Sequence, residues 1–225
     1  SIQAFDRLTK TLYGRVSQHA LLCRDPGIGD YAFLTEVARL ALHDDRYAFL
    51  KDRQFIRVDC RFVAPDESRR FLNHLFAEIA EHEHLVVILD GLASLLPPGS
   101  GNRAVLLAAL NRCACRIIGL VTPEEYEDHF AGYADTPEFF TVIPLPEPGI
   151  ETATHLVEHF AVGLCRQYDV SISPEAIHSA VNLTHNYVPN KRLPQKAVAV
   201  LNDICEDIAF ARLRDPKTRT QVGEQ

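Results

Sequence analysis

Five short apolar runs, each separated from the next by a stretch of helical periodicity, constrain this chain more than any other feature. They fall at about 19–23, 55–59, 85–89, 115–120 and 140–145, and Leu85-Val86-Val87-Ile88-Leu89 holds no polar residue. A strand that is apolar on both faces must be covered on both faces. Amphipathic stretches at about 31–42, 67–82, 102–111 and 123–130 supply the covers. An earlier one over 2–13 puts Ile2, Phe5, Leu8 and Leu12 on one side. Strands alternating with helices predict an α/β fold with a mostly parallel sheet between helical layers. Pro144, Pro146, Pro148 and Gly149 end the alternation. Beyond them the pattern is helical, at about 150–168, 174–184 and 194–213, and Ser173-Pro174-Glu175 reads as an N-cap with Pro at the first helical position. The expected organisation is a large α/β subdomain over 1–147 and a small all-helical subdomain with a polar tail over 148–225.

The turn after the first strand carries the first chemical signal. Ala20-Leu21-Leu22-Cys23 leads into Arg24-Asp25-Pro26-Gly27-Ile28-Gly29-Asp30-Tyr31, then a helix with Phe33, Val37, Leu40 and Leu42. Strand, glycine turn and helix are the frame of a phosphate-binding loop, G-x-x-x-x-G-K-[ST], whose backbone N–H groups close on phosphates while Lys and a hydroxyl serve the phosphates and Mg²⁺. Gly27 and Gly29 survive, but Arg24 stands at the first Gly, Asp30 at the Lys and Tyr31 at the hydroxyl. At ~4 Å and an effective dielectric of about 20, a charge pair is worth roughly 4 kcal/mol at most, and Asp30 inverts its sign. The phenol of Tyr31 stands too far from the backbone to hold Mg²⁺. The third apolar run ends in Asp90, the place of a Mg²⁺-binding acid in a nucleotide hydrolase, and Gly91 comes directly after it.

Three later segments carry a resemblance to a known family. Arg116-Ile117-Ile118-Gly119-Leu120-Val121-Thr122-Pro123-Glu124-Glu125-Tyr126 resembles the RCIGATTxxEY segment of Clp-type AAA+ unfoldases (ClpA, ClpB, ClpC). Phe140-Thr141-Val142-Ile143-Pro144-Leu145-Pro146-Glu147-Pro148 resembles their RFQPVxVxEP strand. Tyr187 to Val198 resembles YIxDRxLPDKAI of their small helical subdomain, and is the most specific of the three. The match covers nearly the whole chain in the order of the first ATPase module, so it implies an AAA+ P-loop large subdomain with a helical one after it.

The departures are systematic. Gly91 stands where many family members carry a water-polarising Glu, and Glu138-Phe139 stand where the family has paired arginines acting on a neighbouring subunit's nucleotide. Ser68, with Arg69 next to it, stands at the pore-loop aromatic, while Thr122 keeps the hydroxyl of the family's sensor position. The resemblance therefore implies a degenerate ATPase with no cofactor of its own. The expected role is a protein-interaction or assembly scaffold whose partner is an active AAA+ protein or a multi-protein complex. As an isolated module the chain is expected to be monomeric. The alternative is a module that still binds ATP and Mg²⁺ weakly.

Other readings are narrower. A net charge of −7 over 225 residues argues against general nucleic-acid binding. No run approaches the ~20 apolar residues of a membrane helix and no secretory leader is visible, so a cytoplasmic location is expected. The opening Ser1 reads as the start of a fragment. Six scattered cysteines read as small core residues of a reducing compartment, and Cys113-x-Cys115 lacks zinc spacing. His155-Leu156-Val157-Glu158-His159 matches H-x-x-E-H, which on a helix could face a metal. With no third ligand evident it reads as surface histidines, and a metal-dependent hydrolase stays a remote alternative.

Overall fold

A computed structural model describes residues 2–14, 19–28, 33, 34, 37 and 45–214. The described chain divides into two units, residues 1–25 with 33–146, and residues 26–32 with 147–225.

The first unit is built on a five-stranded sheet in the order β2-β3-β4-β1-β5. The strands are β1 (His19–Cys23), β2 (Gln54–Asp59), β3 (Leu85–Asp90), β4 (Arg116–Val121) and β5 (Phe140–Pro144). Every neighbouring pair is parallel, with Val58 opposite Leu89, Leu89 opposite Gly119, and Leu22 opposite both Leu120 and Ile143. The three inner strands are the most apolar and most buried, as strands covered on both faces must be. The edges are blunted. β2 exposes Gln54, Arg57 and Asp59, and β5 ends in Pro144.

Helices α1 (Ile2–Tyr13), α2 (Ser68–Ile79) and α3 (Asn102–Leu110) belong to this unit. α1 buries Ala4, Leu8 and Leu12 at a four-residue spacing, and Arg7 donates to the Val142 carbonyl of β5 at 3.0 Å. α2 buries Leu72, Phe76 and Ile79 in the main core with Leu106 and Leu110 of α3. The helix expected over 31–42 lies largely outside the described residues, although Phe33, Leu34 and Val37 are helical and the last two are buried. The helix expected over 123–130 is shorter. Pro123–Tyr126 is helical, and a wider turn, Glu127–Ala131, then swings Phe130 into the core.

The second unit contains α4 (Ile150–Tyr168), α5 (Pro174–Tyr187) and α6 (Gln195–Arg214). Ala153, Val157 and Ala161 of α4 pack with Ile177 and Val181 of α5 and with Ala197, Leu201 and Cys205 of α6. Ser173 caps α5 by accepting from the Ala176 N–H at 3.2 Å, with Pro174 behind it. Glu147 ties down the approach to α6. It accepts from the Leu193 N–H at 2.8 Å, pairs with Arg192 at 3.2 Å and lies 3.8 Å from the buried Lys196. Lys196 also donates to the Val188 carbonyl at 3.1 Å. Gly27 belongs to this unit. Its φ is +90°, its carbonyl accepts from the Gln195 N–H, and an added Cβ would stand 2.7 Å from Gln195 Oε1.

Candidate functional site

In an open parallel sheet, ligands bind beyond the carboxyl ends of the strands. In the first unit that edge carries Arg24 after β1, Asp59 and Arg61 at the end of β2, Asp90 at the end of β3 and Thr122 after β4. Register sets Asp59 beside Asp90. Arg57, two residues earlier on β2, emerges on the same face as Asp59.

Asp90 is 2% exposed and both its oxygens are engaged by guanidinium groups. Arg57 Nη2 donates to Oδ2 at 2.5 Å. Arg61 Nη2 stands 3.3 Å from the same oxygen, and Arg24 Nη2 stands 3.5 Å from Oδ1. Arg61 is itself braced by Asp59, donating from Nε at 2.9 Å and from Nη2 at 2.6 Å. That fork holds the Asp59 carboxyl down to about 2. Between the two acids lies Cys60, whose thiol burial and the adjacent carboxylates push up to about 12. A buried carboxylate is retained only when paired and hydrogen-bonded, and here three guanidinium groups of the same chain supply a pairing.

Gly91 is coupled to the same cluster. Its φ is +74°, and a Cβ placed there would meet Arg61 Cγ at 2.4 Å. An acidic side chain at this position therefore competes with Arg61 for space. Thr122 holds its hydroxyl inside the fold. Its Oγ1 accepts from the Glu125 N–H at 3.1 Å while Glu125 Oε2 accepts from the Thr122 N–H at 2.8 Å, a capping box on Pro123–Tyr126.

Of the glycine turn, Arg24 lies in the first unit while Pro26, exposed, and Gly27 lie in the second. Gly29, Asp30 and Tyr31 lie outside the described residues. Ser68 is fully buried at the start of α2, donating to the Pro65 carbonyl at 2.6 Å and accepting from Asn102 Nδ2 at 2.8 Å. It is a packing hydroxyl joining α2 to α3, and Arg69 beside it is exposed. Glu138 is exposed and Phe139 packs against the core. In the same unit, Arg103 of α3 is turned inward. It donates to the His129 carbonyl and to Thr136 Oγ1 at 3.0 Å each, pairs with Asp135, and lies 4.0 Å from the Tyr133 ring. Arg103, His129, Tyr133 and Asp135 line an open groove of about 670 Å³ with the loop from Pro97 to Gly101.

The H-x-x-E-H segment is on the surface of α4. His155 Nδ1 lies 3.1 Å from Glu158 Oε2, and His159 Nδ1 lies 2.8 Å from the His155 carbonyl. Among the described residues no group of three or more His, Cys, Asp or Glu is placed to hold a metal ion. No helix of the described residues is long and apolar enough to cross a membrane.

Sequence reasoning missed Arg57 and Arg61. Their signal was available: a cation inside the apolar run Phe55-Ile56-Arg57-Val58 needs an acid, and Asp90 ends the strand that pairs with it.

Comparison with known proteins returns one consistent picture. Residues 150–225 match the AAA lid domain family. The chain is 26% identical to the chaperone protein ClpB of Yersinia enterocolitica over 225 residues, 95% of this chain and 25% of that protein. It is 23% identical to the ClpC ATP-binding subunit of the Clp protease of Staphylococcus saprophyticus, over 97% of this chain and 28% of that one. Thus it spans about a quarter of the length of these curated relatives. Among solved structures it superposes on the Saccharomyces cerevisiae Hsp104:casein complex in its extended conformation with a TM-score of 0.78 and 25% identity, covering 94% of this chain and 38% of that one. A closed-state Hsp104 with ATPγS and casein gives a TM-score of 0.79 at 24% identity, covering 95% of this chain and 38% of that one.

Proposed function

We propose that this chain, which belongs to the Clp-type AAA+ family, is a module in which an internal arginine cluster has replaced nucleotide chemistry and which acts as a protein-interaction or assembly scaffold. The observation that carries the reading is the triple pairing of Asp90 with Arg24, Arg57 and Arg61.

A Mg²⁺ ion held through this acid would need its lone pairs and would tolerate no cation at 2.5 Å. Three guanidinium groups already supply the positive charge that the buried carboxylate requires. The residues present therefore do not fit the metal. Asp30 and Tyr31 add the wrong charge and the wrong reach on the loop itself. Gly91 removes the water-polarising acid, Glu138 and Phe139 remove the arginines offered to a neighbour, and Thr122 is spent as a cap. Losing one of these would lower a rate. Groups that act as a unit fail together, so Asp30→Lys alone restores no turnover.

A buried Ser68 offers no aromatic grip to a threaded polypeptide. The surfaces left for work are fixed ones, and the partner we infer is an intact AAA+ protein or a larger protein complex in the cytoplasm. Calorimetric titration with ATP and ADP in the presence of Mg²⁺ tests the reading. No heat of binding at high-micromolar ligand is expected, and micromolar affinity overturns it in favour of a weakly nucleotide-binding module.

A further inference from the structure

We propose that Cys113 and Cys115 form an oxidisable dithiol site, closed to an intramolecular disulfide by hydrogen peroxide or a comparable small peroxide. The two residues lie in the turn between α3 and β4. Their sulfurs stand 2.8 Å apart, in direct hydrogen-bond contact. The turn is pinned so that they face one another: the Cys113 N–H donates to the Leu110 carbonyl at 3.2 Å and the Ala114 N–H to the Ala80 carbonyl at 2.8 Å. A disulfide needs about 2.05 Å between sulfurs, so closure moves them by less than ~1 Å.

The pair is chemically asymmetric. Cys113 keeps 7% of its surface exposed and Cys115 none. The hydrogen bond from Cys115 pulls the Cys113 thiol below its ordinary range, with the Arg116 guanidinium adding to it, while the same bond and burial push Cys115 up. Cys113 is therefore the attacking sulfur and Cys115 the resolving one. The Cys113 thiolate attacks peroxide, breaking the O–O bond to give Cys113 sulfenic acid and hydroxide. Cys115 then attacks the sulfenic sulfur, the S–S bond forms, and the second oxygen leaves as water. The net change consumes two thiols and one peroxide and releases two waters. Cys60 provides the internal contrast. It too is buried, but its thiol is held up to about 12 and donates to the Val58 carbonyl.

The site lies at the amino end of β4, whereas the arginine cluster lies at the carboxyl ends of the same parallel strands. Its oxidation is thus independent of the reading of Asp90.

Tryptic mapping tests the proposal directly, because cleavage after Arg112 and Arg116 releases Cys113-Ala114-Cys115-Arg116 with both sulfurs and no other cysteine. The folded chain is treated with hydrogen peroxide, its remaining thiols are alkylated under denaturing conditions, and the digest is weighed. The expected product is this peptide without alkyl groups and lighter by two hydrogen atoms, while the Cys60 peptide stays alkylated. Cys115→Ser should instead leave a Cys113 sulfenic acid that dimedone traps. Both thiols alkylated after treatment, a sulfinic acid without a disulfide, or a bridge to a third cysteine each overturns the proposal.

Discussion

Two acid-centred clusters in this molecule use the same chemistry for different ends. In the helical unit, Glu147 gathers Leu193 N–H, Arg192 and Lys196, so one carboxylate ties segments 45 residues apart. Part of that work is done by a backbone donor, and Glu147 stays partly hydrated at 26% exposure. At the sheet edge, Asp90 is 2% exposed and, among the described residues, its carboxylate meets the side chains of Arg24, Arg57 and Arg61. The first cluster builds a turn. The second fills a place where an open α/β sheet offers a ligand its binding groups. On the reading proposed above, the chain itself supplies at this edge the counter-charge that a bound cation would bring.

The largest effect that separates the two clusters is loss of the buried acid. Asp90→Ala leaves three guanidinium groups facing one another and should cost about 3–5 kcal/mol, as breaking a buried pair does. Glu147→Ala, which exposes its partners to water, should cost about 1–2 kcal/mol. Urea denaturation of both variants checks the order, and an equal loss would erase the distinction.

Acid should strike the first unit through a buried histidine. His19 is held near 4 by burial, and its Nδ1 accepts the Ile117 N–H at 3.1 Å, which only the unprotonated ring can do. The unfolded chain binds this proton near the ordinary value of about 6.5, so His19 stabilises the fold fully above that value. Its contribution falls as pH drops from about 6.5 towards 4, by up to about 3 kcal/mol. Stability against pH for His19→Gln should be flatter across this window. An unchanged slope would locate the acid sensitivity elsewhere.

Lys196→Ala should cost about 2 kcal/mol, because inside the helical unit the Val188 carbonyl loses its donor and Glu147 loses a cation 3.8 Å away. The loss should appear in thermal unfolding, with the Asp90 cluster untouched.

The effect at Gly91 is the most diagnostic. Gly91→Glu should cost about 1–2 kcal/mol for a side chain at positive φ, with more added by the contact on Arg61. Arg61→Ala in the same chain should recover part of it, and a double-mutant cycle reads the coupling. Additive effects would mean that Arg61 yields its space freely.

Pattern was enough for the strands, since buried parallel strands need long apolar runs and little else can be made of Leu85 to Leu89. The helix starting at Pro174 was equally plain, because a Ser-Pro start satisfies backbone donors locally. The wide turn after Tyr126 was not, since it is imposed by Phe130 seeking the core. The family resemblance was legible in segments such as Tyr187 to Val198, whose residues sit together on the chain. The departures Arg24 and Gly91, and the retained acid Asp90, could likewise be named one by one. Whether Ser68 faced solvent or packed between two helices could not, because Asn102 reaches it from 34 residues away. Nor could the chain order say that Arg24, Arg57 and Arg61 meet on one carboxylate. That convergence needs β2 beside β3 and β1 two strands off, and it is the pairing of strands, not the identity of any residue, that brings three charges onto Asp90.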